Sequence, residues 1–213
     1  RSPVLVSGSH DWKSIATGTS HTCAVTTAGV AYCWGSDNGG SLGGSGDTST
    51  PVSGSHTWAS ISGGWLNSCG VTTAGDGYCW GNGSMGQIGD GGTSDRSTPT
   101  LVSGSYTWAS ISTSLGSRHT CGVTTDGVGY CWGRNEANQL GNGGAYSSVC
   151  DSSEEPCAVV PTLVSGGHTW KSISVGQGYA CGVTTAGVGY CWGNSGATGG
   201  GGGSTPAKIT LPW

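Results

Sequence analysis

CAVTTAGVAYCWG, residues 23–35, is the stretch on which the reading of the fold rests. The loop Thr27-Ala28-Gly29 puts a glycine where a three-residue hairpin needs a left-handed backbone, and this sets the register of the flanking strands. Counting outward, Thr26 meets Val30, Val25 meets Ala31, Ala24 meets Tyr32 and Cys23 meets Cys33. The two cysteines then face each other on one side of the ribbon, close enough for a disulfide. The pattern recurs as CGVTTAGDGYCWG at 69–81, CGVTTDGVGYCWG at 121–133 and CGVTTAGVGYCWG at 181–193. The same count pairs Cys69 with Cys79, Cys121 with Cys131 and Cys181 with Cys191. Zinc is a poor alternative, because the nine intervening residues and the lack of a matching His pair do not suit its usual ligand spacings. Each staple is expected to contribute ~2–3 kcal/mol by restricting the unfolded chain.

Working outward from the hairpins, the chain divides into four copies of one unit, which begin at Pro3, Pro51, Pro99 and Pro161. Each opens with a short apolar strand and a Ser-Gly turn. Trp12, Trp58, Trp108 or Trp170 follows, with Ser-Ile two and three positions on, and then the hairpin. The first three hairpins are succeeded by a Gly-rich box: GGSLG from Gly39, GQIG from Gly86 and NQLG from Asn138. Each unit holds three or four short strands and no helical period. The prediction is an all-β propeller of four blade-type repeats, each with an internal disulfide, within a single domain spanning 1–213. The repeats run over 3–50, 51–98, 99–160 (with an inserted loop at 145–160) and 161–205, and an extra strand follows at 206–213. Val4-Leu5-Val6, Val52, Leu101-Val102, Leu163-Val164 and Ala207-Lys208-Ile209-Thr210-Leu211 supply five opening strands for four hairpins. The surplus strand either packs on its own ring or completes a blade in a neighbouring chain. Three closures follow: a compact ring of four blades, part of a longer propeller, or a head-to-tail polymer.

Composition narrows the function classes. With 44 glycines, no Phe and one Met, large aliphatic cores are excluded, and the apolar mass rests on ten Trp, seven Tyr and β-branched residues. The net charge of −4 offers no basic stripe for phosphates, so nucleic acid is not an expected partner. No apolar run approaches the ~20 residues that span a bilayer. Ten cysteines in so weakly charged a chain point to an oxidising setting, secreted or at the cell surface. Opening at Arg1 without a Met or a signal-like segment, the sequence reads as a processed or trimmed mature chain.

Trp-x-Ser-Ile, the His-Thr-Cys entry to the hairpin, Tyr-x-Trp-Gly and the Gly-Gln-Leu-Gly-type box, in the same order in successive copies, resemble the regulator of chromosome condensation repeat family. The resemblance covers nearly the whole chain. It implies a β-propeller, typically of seven blades, serving as a protein-binding platform, exchange factor or inhibitor. The chain departs from the family in its paired hairpin cysteines, which suit an extracellular variant. It also lacks the box in the fourth copy, which reads Asn194-Ser195-Gly196-Ala197-Thr198 and then glycines to Gly203.

Several residues stand out from the repeat. The insertion between Ala145 and Val160 carries Cys150 and Cys157, expected to bridge, with Asp151, Glu154 and Glu155 between them. Such an acidic, stapled loop suits partner contact, a Ca²⁺ site or plain solvation. Trp65 stands where the other copies carry small residues and is a candidate anchor or sugar platform. Ile209, Leu211 and Trp213 are candidates for intermolecular contact through the last strand. Asn82-Gly83-Ser84 is a glycosylation sequon, which makes Asn82 the candidate glycoprotein site. His10, His56 and His168, with Tyr106 as their fourth member, and His21 and His119, with Asn67 and Tyr179, read as repeat-aligned polar positions and not as a metal ring. No nucleophile, base and orienter assemble from the motifs, so no catalytic residue, metal or cofactor is expected. The expected function is an extracellular structural or protein-interaction module whose partner is another extracellular protein or the chain itself, assembling as a filament. The alternatives are a glycan-binding lectin-like propeller and an inhibitor or exchange-factor-like platform.

Overall fold

The computed structural model describes residues 5–6, 8–44, 50–113, 115–116, 118–144, 148–150, 155–194, 196 and 202–209. These residues form four antiparallel sheets. The first blade holds β1 (Trp12–Thr17), β2 (His21–Thr26) and β3 (Ala31–Gly35). The second holds β4 (Trp58–Gly63), β5 (Asn67–Thr72), β6 (Gly77–Gly81) and β7 (Arg96–Leu101). The third holds β8 (Trp108–Thr113), β9 (His119–Thr124), β10 (Gly129–Arg134), β11 (Ser148–Cys150) and β12 (Glu155–Leu163). The fourth holds β13 (Trp170–Val175), β14 (Tyr179–Thr184), β15 (Gly189–Gly193) and β16 (Gly203–Lys208).

The hairpin registers are those that the turn glycine dictates. Cys23 faces Cys33, Cys69 faces Cys79, Cys121 faces Cys131 and Cys181 faces Cys191, and each pair is bonded. Gly29 takes the left-handed φ of 80° that the loop requires.

The strand after each proline belongs to the sheet before it, not to the blade whose repeat it opens in the sequence. β7 pairs with β6 of the second blade and β12 with β10 of the third, while Val52 donates its backbone N–H to Ala31 of the first. By the same logic β16 pairs with β15, with Cys191 opposite Ala207. The expected surplus strand at the C-terminal end is therefore the fourth strand of its own blade. The segment Leu5–Val6 is the one left without a hairpin ahead of it, and Leu5 is 94% exposed.

The hydrophobic clusters lie between blades. Trp58 and Trp80 of the second blade pack on Cys23, Val25, Ala31 and Cys33 of the first. Trp108 and Trp132 repeat this on the second blade, and Trp170 and Trp192 on the third. A Cβ on Gly129 would stand 2.6 Å from Trp170 Cδ1, so the β9–β10 ribbon sits closer to the next blade's indole than a side chain there would allow, whereas the first blade carries Ala31 at the same position. Each junction is also latched by a hydrogen bond. Trp80 Nε1 donates to Ser41 O at 3.0 Å, Trp132 Nε1 to Gln87 O at 3.0 Å and Trp192 Nε1 to Gln139 O at 2.9 Å. The Gly-rich box thus presents a carbonyl to the indole of the following blade.

No comparable packing joins the fourth blade to the first among the described residues. The four blades form an open arc, so the compact ring of four is not the closure adopted. The two end faces show it. Ile15 is 61% exposed where Ile111 and Ile173 are buried, and Val183 is 40% exposed where Val71 and Val123 are buried.

Candidate functional site

Because β2 and β3 run antiparallel, the turns between the first two strands of each blade and the Gly-rich boxes emerge at one end of the sheets. The Thr-Thr-Ala-Gly hairpins and the Ser-Gly-His turns emerge at the other. On the first face the inner turns are knitted together. Thr19 N donates to Gly64 O at 3.1 Å and Thr19 Oγ1 to Leu115 O at 2.7 Å.

Trp65 is half-buried in this face, and the Arg118 guanidinium lies 4.4 Å from its ring centroid. Arg118 comes from the third blade, and its ion-pairing capacity is not met by any described carboxylate. Beside it a cleft of about 300 Å³ is lined by Arg118, Arg134, Glu136, Gln139, Gln177 and Asn194, with the glycine backbones of 116 and 178. Arg134 is neutralised there by Glu136 at 2.6 Å and Glu155 at 2.7 Å. The Trp65–Arg118 stack therefore presents, side by side, a large flat apolar body and a cation that no described carboxylate neutralises. The sequence singled out Trp65 but missed Arg118, whose only signal was a cation at a turn position where the other copies carry Ser, Leu or Gly.

The described part of the inserted segment is built into the sheet. β11 and β12 extend the third blade to five strands, and Cys150 and Cys157 are bonded and buried against Met85 of the second blade. Glu155 is held by Arg134, while Asp151 and Glu154 lie outside the described residues. Ile209 donates its backbone N–H to Gly189 O and so completes its own blade. Leu211 and Trp213 lie outside the described residues. Asn82 is tied into a local network. Its Nδ2, the atom that would carry a glycan, donates to Asp95 Oδ1 at 3.0 Å, and its Oδ1 accepts from Ser84 and Gln87.

The two sets of repeat-aligned rings have separate physical roles. His10 stacks on Tyr32, and His56, Tyr106 and His168 pack at a tilt against Tyr78, Tyr130 and Tyr190, with ring centroids 4.1–4.5 Å apart. His21 and His119 are buried at blade junctions. His21 Nε2 meets Ser68 Oγ of the next blade at 2.8 Å, and its pKa is lowered by burial against an opposing pull from Asp37. Burial lowers the pKa of His119 to about 3, the backbone of Tyr179 opposing, so the ring is neutral at physiological pH. No group of three or more His, Cys, Asp or Glu side chains among the described residues is arranged to hold a metal ion.

On the opposite face, a cleft of about 300 Å³ in the third blade is lined by Ser105, Tyr106, Thr107, Thr125, Asp126 and Tyr130, with Thr124 and Val128. Its two walls are welded by Thr125 N donating to Thr107 O at 2.9 Å. Thr124 Oγ1 donates to Asp126. Burial first, then Tyr106 and the Asp126 charge, raise the pKa of the Tyr130 phenol.

Comparison with known proteins places these surfaces in context. Models of the regulator of chromosome condensation (RCC1) repeat match residues 74–123 and 126–183, and, in a second form, 12–40 and 111–139. The chain belongs to the RCC1 repeat family. Among solved RCC1-like folds, the yeast RCC1 protein Prp20, in its complex with Kap60, superposes with a TM-score of 0.79 at 20% identity, over 98% of this chain and 50% of that one. Human WBSCR16 gives 0.75 at 19% identity over 93% and 52%. The ectodomain of the receptor kinase CR4 from Physcomitrella patens gives 0.58 at 24% identity over 91% and 44%. The chain thus spans about half the length of these solved structures. No curated protein matches the sequence.

Proposed function

We propose that this RCC1-repeat chain is a non-catalytic protein-interaction module that works outside the cell and presents the face around Trp65 and Arg118 to its partner. The observation that carries the reading is the Trp65–Arg118 stack, a guanidinium paired with no described carboxylate and laid on an indole beside a polar cleft. Trp and Arg are the side chains most enriched among residues that dominate binding energy at protein interfaces. Five disulfides with no free cysteine support an oxidising setting. The fold's occurrence in a receptor-kinase ectodomain agrees with that setting, and a propeller bound to Kap60 agrees with protein binding. The test is affinity capture from extracellular and cell-surface fractions, with the chain and its Trp65→Ala variant compared in parallel. A protein retained by the first and released by the second supports the proposal; identical capture by both overturns it.

A second reading is favoured by the exposed end faces. Ile15 and Val183 are exposed where their counterparts are buried or, for Ile61, partly buried at internal junctions, so a further blade surface, including that of a second copy, meets a ready-made seat at either end. Assembly would then proceed by face packing and not by donation of β16, which is engaged within its own blade. Light scattering of the chain against Ile15→Lys distinguishes the cases: a mass above the monomer that falls in the variant supports assembly, and a monomer at all concentrations excludes it.

A further inference from the structure

Three blades carry the same pair of residues at the hairpin end, a histidine in the Ser-Gly turn and an alanine in the Thr-Ala-Gly loop: His10 with Ala28, His56 with Ala74 and His168 with Ala186. The third blade breaks the repeat at both places, with Tyr106 and Asp126. These departures are twenty residues apart in sequence, yet they converge on one cleft of about 300 Å³. Neither is needed for the fold, since three sister blades form the same turns without them.

We infer that this cleft is a carbohydrate-binding site for a neutral saccharide. Tyr106 and Tyr130, with centroids 4.5 Å apart, supply half-buried aromatic faces for the C–H side of a pyranose ring. Asp126 is exposed, and although Thr124 donates to one of its oxygens, the carboxylate has lone pairs left for sugar hydroxyls. Ser105, Thr107 and Thr125 are exposed around it and both donate and accept, which suits a polyol. The Thr125–Thr107 backbone bond holds the two walls in place before any ligand arrives, so little ordering cost falls on binding. The volume lies at the small end of ligand pockets and suits one or two sugar residues. The two tyrosine rings lie against each other at a 43° tilt and do not wall a box, and the rim is hydroxylic; this favours a polyol over a quaternary ammonium group. The inference goes beyond the protein-interaction reading and does not rest on it, because the cleft lies at the opposite end of the sheets from Trp65.

Saturation-transfer NMR and calorimetry with the methyl pyranosides of mannose, glucose and galactose, with choline as a control, test it on the full chain. The variants are Asp126→Ala and Tyr106→His, each installing the residue that three sister blades already tolerate. At least one pyranoside is expected to bind, with affinity lowered about tenfold or more in each variant and the urea midpoint unchanged. No transfer to any of the three sugars, equal binding by the variants, or competition by choline overturns the inference. Should either variant shift the urea midpoint, Thr125→Val provides the independent test: retained sugar affinity in that variant counts against the site.

Discussion

Acidification should unlatch the junction between the third and fourth blades through His119. The ring is fully buried, with its pKa pushed down to about 3 by loss of solvent. In the unfolded chain it titrates near 6.5. Between those values the unfolded state binds a proton that the folded state refuses, so stability falls as pH falls. The contribution is fully present above pH 6.5 and is lost progressively down to about pH 3. At ~1.4 kcal/mol per pKa unit the whole interval corresponds to roughly 5 kcal/mol, and the first stretch, to pH 5, to about 2 kcal/mol. His119→Asn borrows the residue that the second blade uses at the equivalent buried position, Asn67, and removes the titration. Urea unfolding, followed by tryptophan fluorescence with disulfides intact, is then compared for the two proteins at pH 7, 6, 5 and 4. Carboxylate effects and the His21 contribution are common to both and cancel in the difference. The parent should lose about 1.4 kcal/mol per pH unit relative to the variant below pH 6. A difference that stays constant from pH 7 to 4 would refute the assignment of a buried, neutral His119.

Other perturbations probe the same architecture. Trp132→Phe removes the N–H that reaches Gln87 O and leaves a small cavity where the bicyclic ring was fully buried; together these should cost ~2–4 kcal/mol by urea unfolding. Gly89→Ala places a Cβ 2.7 Å from Trp132 Nε1 at a φ of +78°, so strain and overpacking combine for a loss of ~2–4 kcal/mol in the same assay. The double variant Cys69→Ala with Cys79→Ala should lose ~2–3 kcal/mol through the freed loop, read as a lower thermal midpoint, while the far-ultraviolet spectrum stays that of a β protein. Replacing Arg118 with Met should leave stability nearly unchanged, because the side chain has no ion pair with any described carboxylate to lose, and should weaken partner capture as Trp65→Ala does.

Local geometry explains what was legible in the sequence. A turn glycine fixes hairpin register because the side-chain period of a strand is two, so all four repeat cystines follow from counting residues. The Trp, Tyr and box motifs marked the junction residues for the same reason: each is repeated, so its role is stated four times. Trp65 was visible as a break in that pattern. Arg118 and the Tyr106–Asp126 pair were not, because their significance lies in which blade or turn they meet. The insertion looked like an acidic loop, since its polar residues gave no sign that Cys150 and Cys157 would turn inward onto Met85.

The sequence alone determined the unit: an antiparallel, disulfide-stapled hairpin preceded by a tryptophan strand, repeated four times, because those features depend on contacts within a few tens of residues. Only the tertiary structure decided how units join. It assigned each post-proline strand to the sheet before it, left the arc open between the fourth and first blades, set Arg118 on Trp65 and gathered Tyr106 with Asp126. Those outcomes depend on edge pairing and packing between elements distant in the chain. The energies involved arise from which surfaces meet, and no local spacing encodes that.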